Sequence, residues 1–190
     1  ATRLTPNGIS MIGMAFAALA GTALAASGWT AGGARIACLV VAMLGIQGRL
    51  LCNLLDGMVA VEGGKGAPDG PFWNEFPDRA ADIAILVGAG LGAGLPALGW
   101  AAATFAVLTA YTRELGHAAG LAPDFAGPLG KPQRMALITL AALLAMVEPL
   151  LGTSRGLMLE IGLWIVVVGT ALTALRRGRT QVAALRARRR

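Results

Sequence analysis

The acidic residues of this sequence are concentrated in one short stretch. Six of the ten are Asp56, Glu62, Asp69, Glu75, Asp78 and Asp82. Carboxylates at such close quarters repel one another unless a cation neutralises them. An all-oxygen set suits a hard cation such as Mg²⁺, Mn²⁺ or Ca²⁺ and argues against zinc. Because a hard cation held by few carboxylates usually completes its shell with substrate phosphates, the stretch predicts metal-dependent phosphoryl chemistry.

Helical spacing would place these groups at two facing helix ends. Asn53 and Asp56 are three residues apart at the end of one apolar segment, so they share one face of a helix. Asn74, Asp78 and Asp82 step by four residues along the start of the next segment. Ionisable groups at or near a membrane helix are costly, so such a cluster is a functional site by default.

The composition predicts that lipid surrounds most of the chain. Of its 190 residues 56% are hydrophobic and 14% are charged, and 27 are glycines, which allow close helix packing in membranes. Six apolar segments are each near the roughly 20 residues that a membrane crossing needs. They are residues 8–27, 32–55, 79–95, 97–115, 133–151 and 157–175. We therefore expect an all-α integral membrane protein, with a six-helix transmembrane catalytic domain over residues 1–175 and a basic tail over 176–190.

The basic residues predict the orientation. With a cytoplasmic N-terminus, only Arg35 and Arg155 of the sixteen lysines and arginines fall at outer helix ends. This positive-inside pattern places both termini and the carboxylate cluster on the cytoplasmic side of a bacterial inner membrane. The net charge of +6 is then explained by membrane lipids with anionic headgroups, and nucleic acid is not expected as a partner.

The carboxylates lie in a pattern that resembles the CDP-alcohol phosphotransferase family, D-x-x-D-G-x-x-A-R followed by G-x-x-x-D-x-x-x-D. The chain reads N-L-L-D-G-M-V-A-V over residues 53–61 and D-R-A-A-D over residues 78–82. Thr5-Pro6-Asn7 and Gly130-Lys131-Pro-Gln-Arg134 are similar to the phosphatidylglycerophosphate synthase branch. The departures are Asn53 for the first Asp, Val61 for Arg, Asn74 for the second Gly, and a spacer four residues longer.

The resemblance implies transfer of a phosphatidyl group from CDP-diacylglycerol to an alcohol, with release of CMP and dependence on Mg²⁺ or Mn²⁺. It implies metal ligation by Asn53, Asp56, Asp78 and Asp82, with Asp82 also the base that takes the hydroxyl proton. Gly57, Ala60 and Glu75 are placed with the donor. Arg113, Lys131 and Arg134 are placed around the phosphate of a phosphorylated acceptor such as glycerol 3-phosphate or inositol phosphate.

Several alternatives remain open at this point. An unphosphorylated acceptor is one, and a non-catalytic family member is another, because Asn53 and Val61 depart from the motif. A small membrane transporter would need acidic residues near the bilayer midplane and an inverted repeat, and the sequence shows neither. Gly88, Gly90, Gly92 and Gly94 have the spacing of close helix packing or of a homodimer seam.

Overall fold

The helices of this chain follow the proline and glycine signals of the sequence. The computed structural model describes residues 5–61 and 69–188, and all regular structure within them is helical. The helices are α1 (Pro6–Ser27), α2 (Gly32–Val61), α3 (Gly70–Gly92), α4 (Pro96–Ala118), α5 (Lys131–Ala145), α6 (Glu148–Leu151) and α7 (Leu157–Ala187). The predicted all-α class is confirmed.

The first helix shows how local chemistry sets a boundary. The Thr5 hydroxyl accepts a hydrogen bond from the backbone N–H of Gly8 at 3.2 Å, and Pro6 occupies the first turn. Both are favourable at a helix start. The first N–H groups of a helix lack helical acceptors, so a side-chain acceptor stabilises them, and proline has no N–H group that would need one. The Thr5-Pro6-Asn7 sequence is thus a helix cap. Asn7 and Trp73 both donate to Asp69, which ties the starts of α1 and α3 together.

The six long helices close a ring. Contacts run from α1 to α2, α5, α7, α4, α3 and back to α1. Successive long helices alternate in direction, so six helix termini gather at each end of the bundle. One end, here called the carboxylate end, holds Asp56, Asp78 and Asp82, together with Arg113 near the end of α4 and Lys131 at the start of α5.

The opposite end is held by one buried acidic side chain. Glu148 pairs with Arg35 of α2 at 2.6 Å. It also accepts the backbone N–H groups of Gly156 at 2.9 Å and Met158 at 2.8 Å, which cap the start of α7. Glu148 is 1% exposed. A single carboxylate therefore joins α2, α6 and α7.

The glycines of α3 pack against two neighbours inside the chain. A Cβ on Gly88 would overlap the backbone of Gly21 in α1, and one on Gly92 would overlap the carbonyl of Leu24. On the other side a Cβ on Gly90 would lie 2.6 Å from the Cα of Gly99 in α4. The close helix packing predicted from this series is confirmed, and the homodimer stays a prediction.

Within residues 5–61 and 69–188, three helices are long and apolar enough to cross a membrane, namely α1, α2 over Gly32–Val59, and α7. Large apolar side chains such as Trp29, Leu44 and Trp164 are exposed on the outside of the ring, as expected for an integral membrane protein. The predicted segment 133–151 is interrupted, because α5 ends at Ala145 and Glu148-Pro149 starts the short α6. Proline has no N–H to continue the hydrogen bonds of α5. Six membrane crossings therefore remain a prediction.

Candidate active site

Asp56 lies near the end of α2 and is buried, with 7% of its surface exposed. The Ser10 hydroxyl of α1 donates to its Oδ2 at 2.7 Å. Its Oδ1 has no hydrogen-bond partner among the residues that the structure describes. A buried carboxylate oxygen without a partner is costly, so Asp56 is placed to receive a cation or a ligand.

Asp78 lies in the first half of α3 and is held by cationic side chains from two other helices. Arg49 of α2 donates to its Oδ1 at 2.8 Å. Lys131 of α5 donates to its Oδ2 and also to the side-chain oxygen of Asn53. The structure therefore brings Asn53 and Asp78 together, as the sequence predicts, with the Lys131 ammonium between them.

Asp82 lies one helical turn further along α3 and is 3% exposed. Arg134 of α5 donates to its Oδ2 at 2.6 Å, and Thr109 of α4 lies on the other side of the guanidinium at 3.4 Å. As with Asp56, the Oδ1 of Asp82 has no hydrogen-bond partner in the described part of the chain. This carboxylate keeps one oxygen available for a proton or a cation.

The residues of this centre suit a hard divalent cation. Across residues 5–61 and 69–188 no three His, Cys, Asp or Glu side chains are already arranged around a common metal position. The donor set is nevertheless all oxygen, from Asn53, Asp56, Asp78 and Asp82, and two of these carboxylates keep an oxygen without a partner. Oxygen ligands of this kind fit Mg²⁺ or Mn²⁺.

Lys131 sits just before the fifth apolar segment, where it is largely enclosed. Burial lowers the pKa of its ammonium to about 8, with the positive charge of Arg49 acting in the same direction and Asp78 opposing both. Desolvation disfavours the charged form of a lysine, whereas a nearby carboxylate favours it.

A cavity of about 490 Å³ opens beside the carboxylates. Its size is in the range of small-molecule sites. Its charged lining residues are Glu75, Asp78, Arg79, Asp82, Arg113, Lys131, Arg134 and Arg177. The cavity thus joins the carboxylate cluster of α3 to cations from α4, α5 and α7, as an anionic ligand would require.

The three cations predicted for the acceptor phosphate all line this cavity. Each also pairs with a carboxylate: Lys131 with Asp78, Arg134 with Asp82, and Arg113 with Glu75. The Arg113 guanidinium further lies 5.1 Å from the ring centre of Phe125. The prediction placed these side chains in one region, and their pairing with carboxylates was not foreseen.

Two arginines of the site were missed in the sequence. Arg49 contacts Asp78 from within α2. Arg177 lines the cavity from α7, where its Nε donates to the carbonyl of Ala126 at 3.0 Å and its NH1 to that of Thr109 at 2.9 Å. Helix α7 runs through the predicted boundary at 175/176, so Arg177 belongs to the bundle. An arginine inside an apolar segment is the signal that would have found Arg49.

The residues predicted for the donor are more scattered. A Cβ added to Gly57 would meet nothing within 4 Å in the described part of the chain, so this face of α2 is open. Ala60 lies in α2, but its side chain is outside the described residues. Glu75 lines the large cavity and pairs with Arg79 and Arg113, which places it on the side of the predicted acceptor.

This chain is similar to known proteins in both sequence and structure. No protein-family model matches the chain. A bifunctional IPC transferase and DIPP synthase from Rubrobacter xylanophilus is 32% identical over 188 residues, which cover 94% of this chain and 39% of that protein. The chain thus spans well under half the length of this relative.

Solved structures of a phosphatidylinositol phosphate synthase from Mycobacterium tuberculosis are similar over 94% of this chain. The form in complex with manganese and citrate has a TM-score of 0.74 at 20% identity and is covered over 82% of its length. The form with CDP-DAG bound has a TM-score of 0.74 at 21% identity and is covered over 87%.

The resemblance to the CDP-alcohol phosphotransferase family is confirmed. The similarity to the solved structures shows that the chain has the fold of that synthase. The motif of this family falls on the end of α2 and the start of α3. There Asp56, Asp78 and Asn53 line the same small cavity, and Asp78, Asp82 and Asn53 line the large one.

Proposed function

We propose that this protein transfers a phosphatidyl group from CDP-diacylglycerol to a phosphorylated alcohol, with release of CMP. The observation that carries the proposal is the position of Asp82. Its carboxylate lines the large cavity, and one of its buried oxygens has no partner among the described residues. It stands between the carboxylate cluster and a cavity rich in arginine and lysine, where a donor phosphate and an acceptor hydroxyl could meet.

In the proposed reaction the acceptor oxygen bonds to the phosphorus of the phosphatidyl group as the bond from that phosphorus to the CMP oxygen breaks. Asp82 accepts the hydroxyl proton, the role of a general base. A divalent cation held by Asn53, Asp56, Asp78 and Asp82 would offset the charge of the donor's pyrophosphate. Arg134 and Ser10 orient Asp82 and Asp56, respectively.

Arg113, Lys131, Arg134 and Arg177 provide the positive charge for the acceptor's phosphate. A cavity of about 490 Å³ accommodates a phosphorylated polyol such as glycerol 3-phosphate or inositol phosphate. The structurally similar protein is a phosphatidylinositol phosphate synthase, which supports inositol phosphate as the acceptor. For this reason we place inositol phosphate ahead of glycerol 3-phosphate.

The test is turnover of radiolabelled CDP-diacylglycerol by the purified protein in detergent or liposomes. Inositol phosphate, glycerol 3-phosphate and their unphosphorylated alcohols are offered in turn, each with Mg²⁺ or Mn²⁺. We expect a labelled lipid product with a phosphorylated acceptor, and loss of turnover with EDTA. Turnover with the free alcohols alone would overturn the choice of acceptor, and activity in EDTA would overturn the metal.

The second candidate is a family member that binds its ligands without turnover. The ion pairs of the centre favour it, because Arg49 and Lys131 already neutralise Asp78, and Arg134 neutralises Asp82. In the same assay this candidate predicts binding of CDP-diacylglycerol and no labelled product with any acceptor.

A further inference from the structure

Arg49 is a charged side chain in the interior of the bundle that the motif does not explain. It lies one turn before Asn53 on the same face of α2 and is 2% exposed. Its NH2 donates to Asp78, and its NH1 has no hydrogen-bond partner within the described residues. Arginine side chains in proteins are cationic. The centre therefore contains a permanent positive charge.

The charges of the centre balance without any bound ion. Among the described residues, three carboxylates, those of Asp56, Asp78 and Asp82, face three cations from α2 and α5, namely Arg49, Lys131 and Arg134. A fourth cation, Arg79 of α3, lies 3.8 Å from Asp78 and is shared with Glu75. Each divalent cation adds two positive charges, and a buried excess of charge is costly. The pyrophosphate of a bound donor compensates one such ion, whereas a second ion would leave the excess uncompensated.

One carboxylate differs from the other two. Asp78 and Asp82 each contact a cationic side chain, whereas Asp56 is held only by the Ser10 hydroxyl among the described residues. A small cavity of about 10 Å³ lies beside Asp56 and is also lined by Arg49 and Asn53. Such a volume admits about one water-sized body. The unpaired oxygen of Asp56 supplies negative charge and this cavity supplies space, so together they form a candidate position for a cation.

We propose that Arg49 acts as a fixed positive charge that limits the centre of Asn53, Asp56, Asp78 and Asp82 to one divalent cation, with Asp56 as its principal ligand. Asn53 contributes to the same limit, because it is neutral where a carboxylate would attract a further ion. The inference rests on the proposed function, since it assumes that the centre binds a divalent cation. Arg49 itself is a positioning residue, which fixes Asp78 and sets the electrostatic potential that a metal experiences.

The experiment is a count of Mn²⁺ bound to the purified chain in detergent, by calorimetry and electron paramagnetic resonance. We expect one Mn²⁺ per wild-type chain. Removing a unit charge within several ångströms of a divalent ion should tighten Mn²⁺ binding by about tenfold or more in Arg49→Gln. The Arg49→Gln/Asn53→Asp double variant should bind two. Arg49→Lys keeps the charge and should keep the wild-type affinity.

The matched control is Arg176→Gln, which removes the same charge from an exposed position on α7 and should leave Mn²⁺ binding unchanged. Two Mn²⁺ per wild-type chain would overturn the inference, and this count needs no variant that must fold. So would unchanged affinity in a folded Arg49→Gln protein. If the wild-type chain binds one Mn²⁺ but does not turn over CDP-diacylglycerol, the proposed function alone is refuted. If it binds two Mn²⁺ and turns over CDP-diacylglycerol, only the role of Arg49 is refuted.

Discussion

At the scale of single residues, substitution of Asp82 tests whether catalysis can be separated from binding. Asp82→Asn keeps the shape of the side chain and one ligand oxygen but cannot accept a proton. We expect turnover to fall by roughly 100-fold or more, as for the loss of a general base, with binding of CDP-diacylglycerol retained. Asp82→Glu should recover little, because the longer side chain displaces the oxygen.

Rates measured with saturating acceptor, together with donor binding by calorimetry, check this expectation. Glu160→Gln, in the first turn of α7, removes a carboxylate away from the centre and should leave both quantities unchanged. If Asp82→Asn abolishes donor binding as fully as Asp78→Ala, then Asp82 is chiefly a metal ligand and the base lies elsewhere.

Arg177 offers the cleanest test of the acceptor pocket. The structure pairs Lys131 and Arg134 with Asp78 and Asp82, so their substitution should affect both substrates. Arg177 hydrogen-bonds only to backbone carbonyls among the described residues. Charge-assisted contacts to phosphate are worth about 1.5–3 kcal/mol, so Arg177→Gln should raise the acceptor KM by about ten- to a hundredfold.

The donor KM and the thermal unfolding temperature of Arg177→Gln are measured beside the acceptor KM. Arg176→Gln, the neighbouring exposed residue, is the control. An equal rise in both KM values would show that Arg177 acts through the packing of α7 on α4 rather than on the acceptor.

The sequence was informative about these residues to different degrees. The helical spacing of Asp56, Asp78 and Asp82 predicted that they lie at one end of the bundle, because period and helix order are local properties of a sequence. Their joint ligation of a metal stays a prediction. Arg49 could have been singled out as an arginine inside an apolar segment. Its contact with Asp78 and the contacts of Arg177 could not be predicted, because the partners lie on helices far away along the chain. A lone arginine near the end of an apolar segment has the same local pattern as a boundary residue.

At the scale of helices, the glycines of α3 set the distance to α1. Gly88→Ala should destabilise the protein, because the added methyl would overlap the backbone of Gly21, which cannot move aside as a side chain would. Overpacking of this kind costs about 1–3 kcal/mol. A shifted α1 should also lower activity, since α1 carries the Ser10 hydroxyl that orients Asp56.

Gly178→Ala is the matched control, because a Cβ on Gly178 meets nothing within 4 Å in the described structure. It should be neutral or should stabilise α7 by up to about 1 kcal/mol, the difference in helix propensity. Thermal unfolding in detergent measures both variants. Equal stability of Gly88→Ala and Gly178→Ala would contradict the close contact between α1 and α3.

Helix boundaries were predicted well where a cap or a proline marks them, as at Thr5-Pro6 and at Pro96. The break between α5 and α6 was missed. Hydropathy averages over the apolar residues on both sides of Glu148, and therefore conceals a buried carboxylate whose partners are Arg35 and the start of α7. Tertiary contacts of this kind override the local apolar pattern.

At the scale of the whole molecule, the orientation in the membrane is the main expectation. The positive-inside pattern predicts that the carboxylate end and the C-terminus face the cytoplasm. A reporter enzyme that is active only in the cytoplasm should therefore be active when it is fused after Arg190. A cysteine at position 155, introduced after replacing Cys38 and Cys52 by serine, should react with an impermeant reagent from outside. Inside labelling at 155 would contradict the predicted topology.

The Arg35–Glu148 pair predicts a large loss of stability at the opposite end. Glu148→Gln leaves Arg35 buried without a counter-charge, and breaking a buried pair in this way costs about 3–5 kcal/mol. Replacing both residues, as in Arg35→Met/Glu148→Leu, should recover much of that loss, because no buried charge remains. Thermal unfolding measures the stability of both variants. Equal losses of stability in the single and the double variant would show that the capping of α7 by Glu148 matters more than the ion pair.

This pair also has a consequence for how the protein is made. Arg35 and Glu148 are 113 positions apart in the chain, so the arginine leaves the ribosome long before its partner. In the predicted orientation both charged groups must cross the bilayer before they meet. Once they have met, a reversal of α2 or of α7 would require separating the two charges and returning each of them through hydrocarbon. In that orientation the completed pair therefore opposes any later reversal of α2 or α7, and a chain truncated before residue 148 would lack this contact.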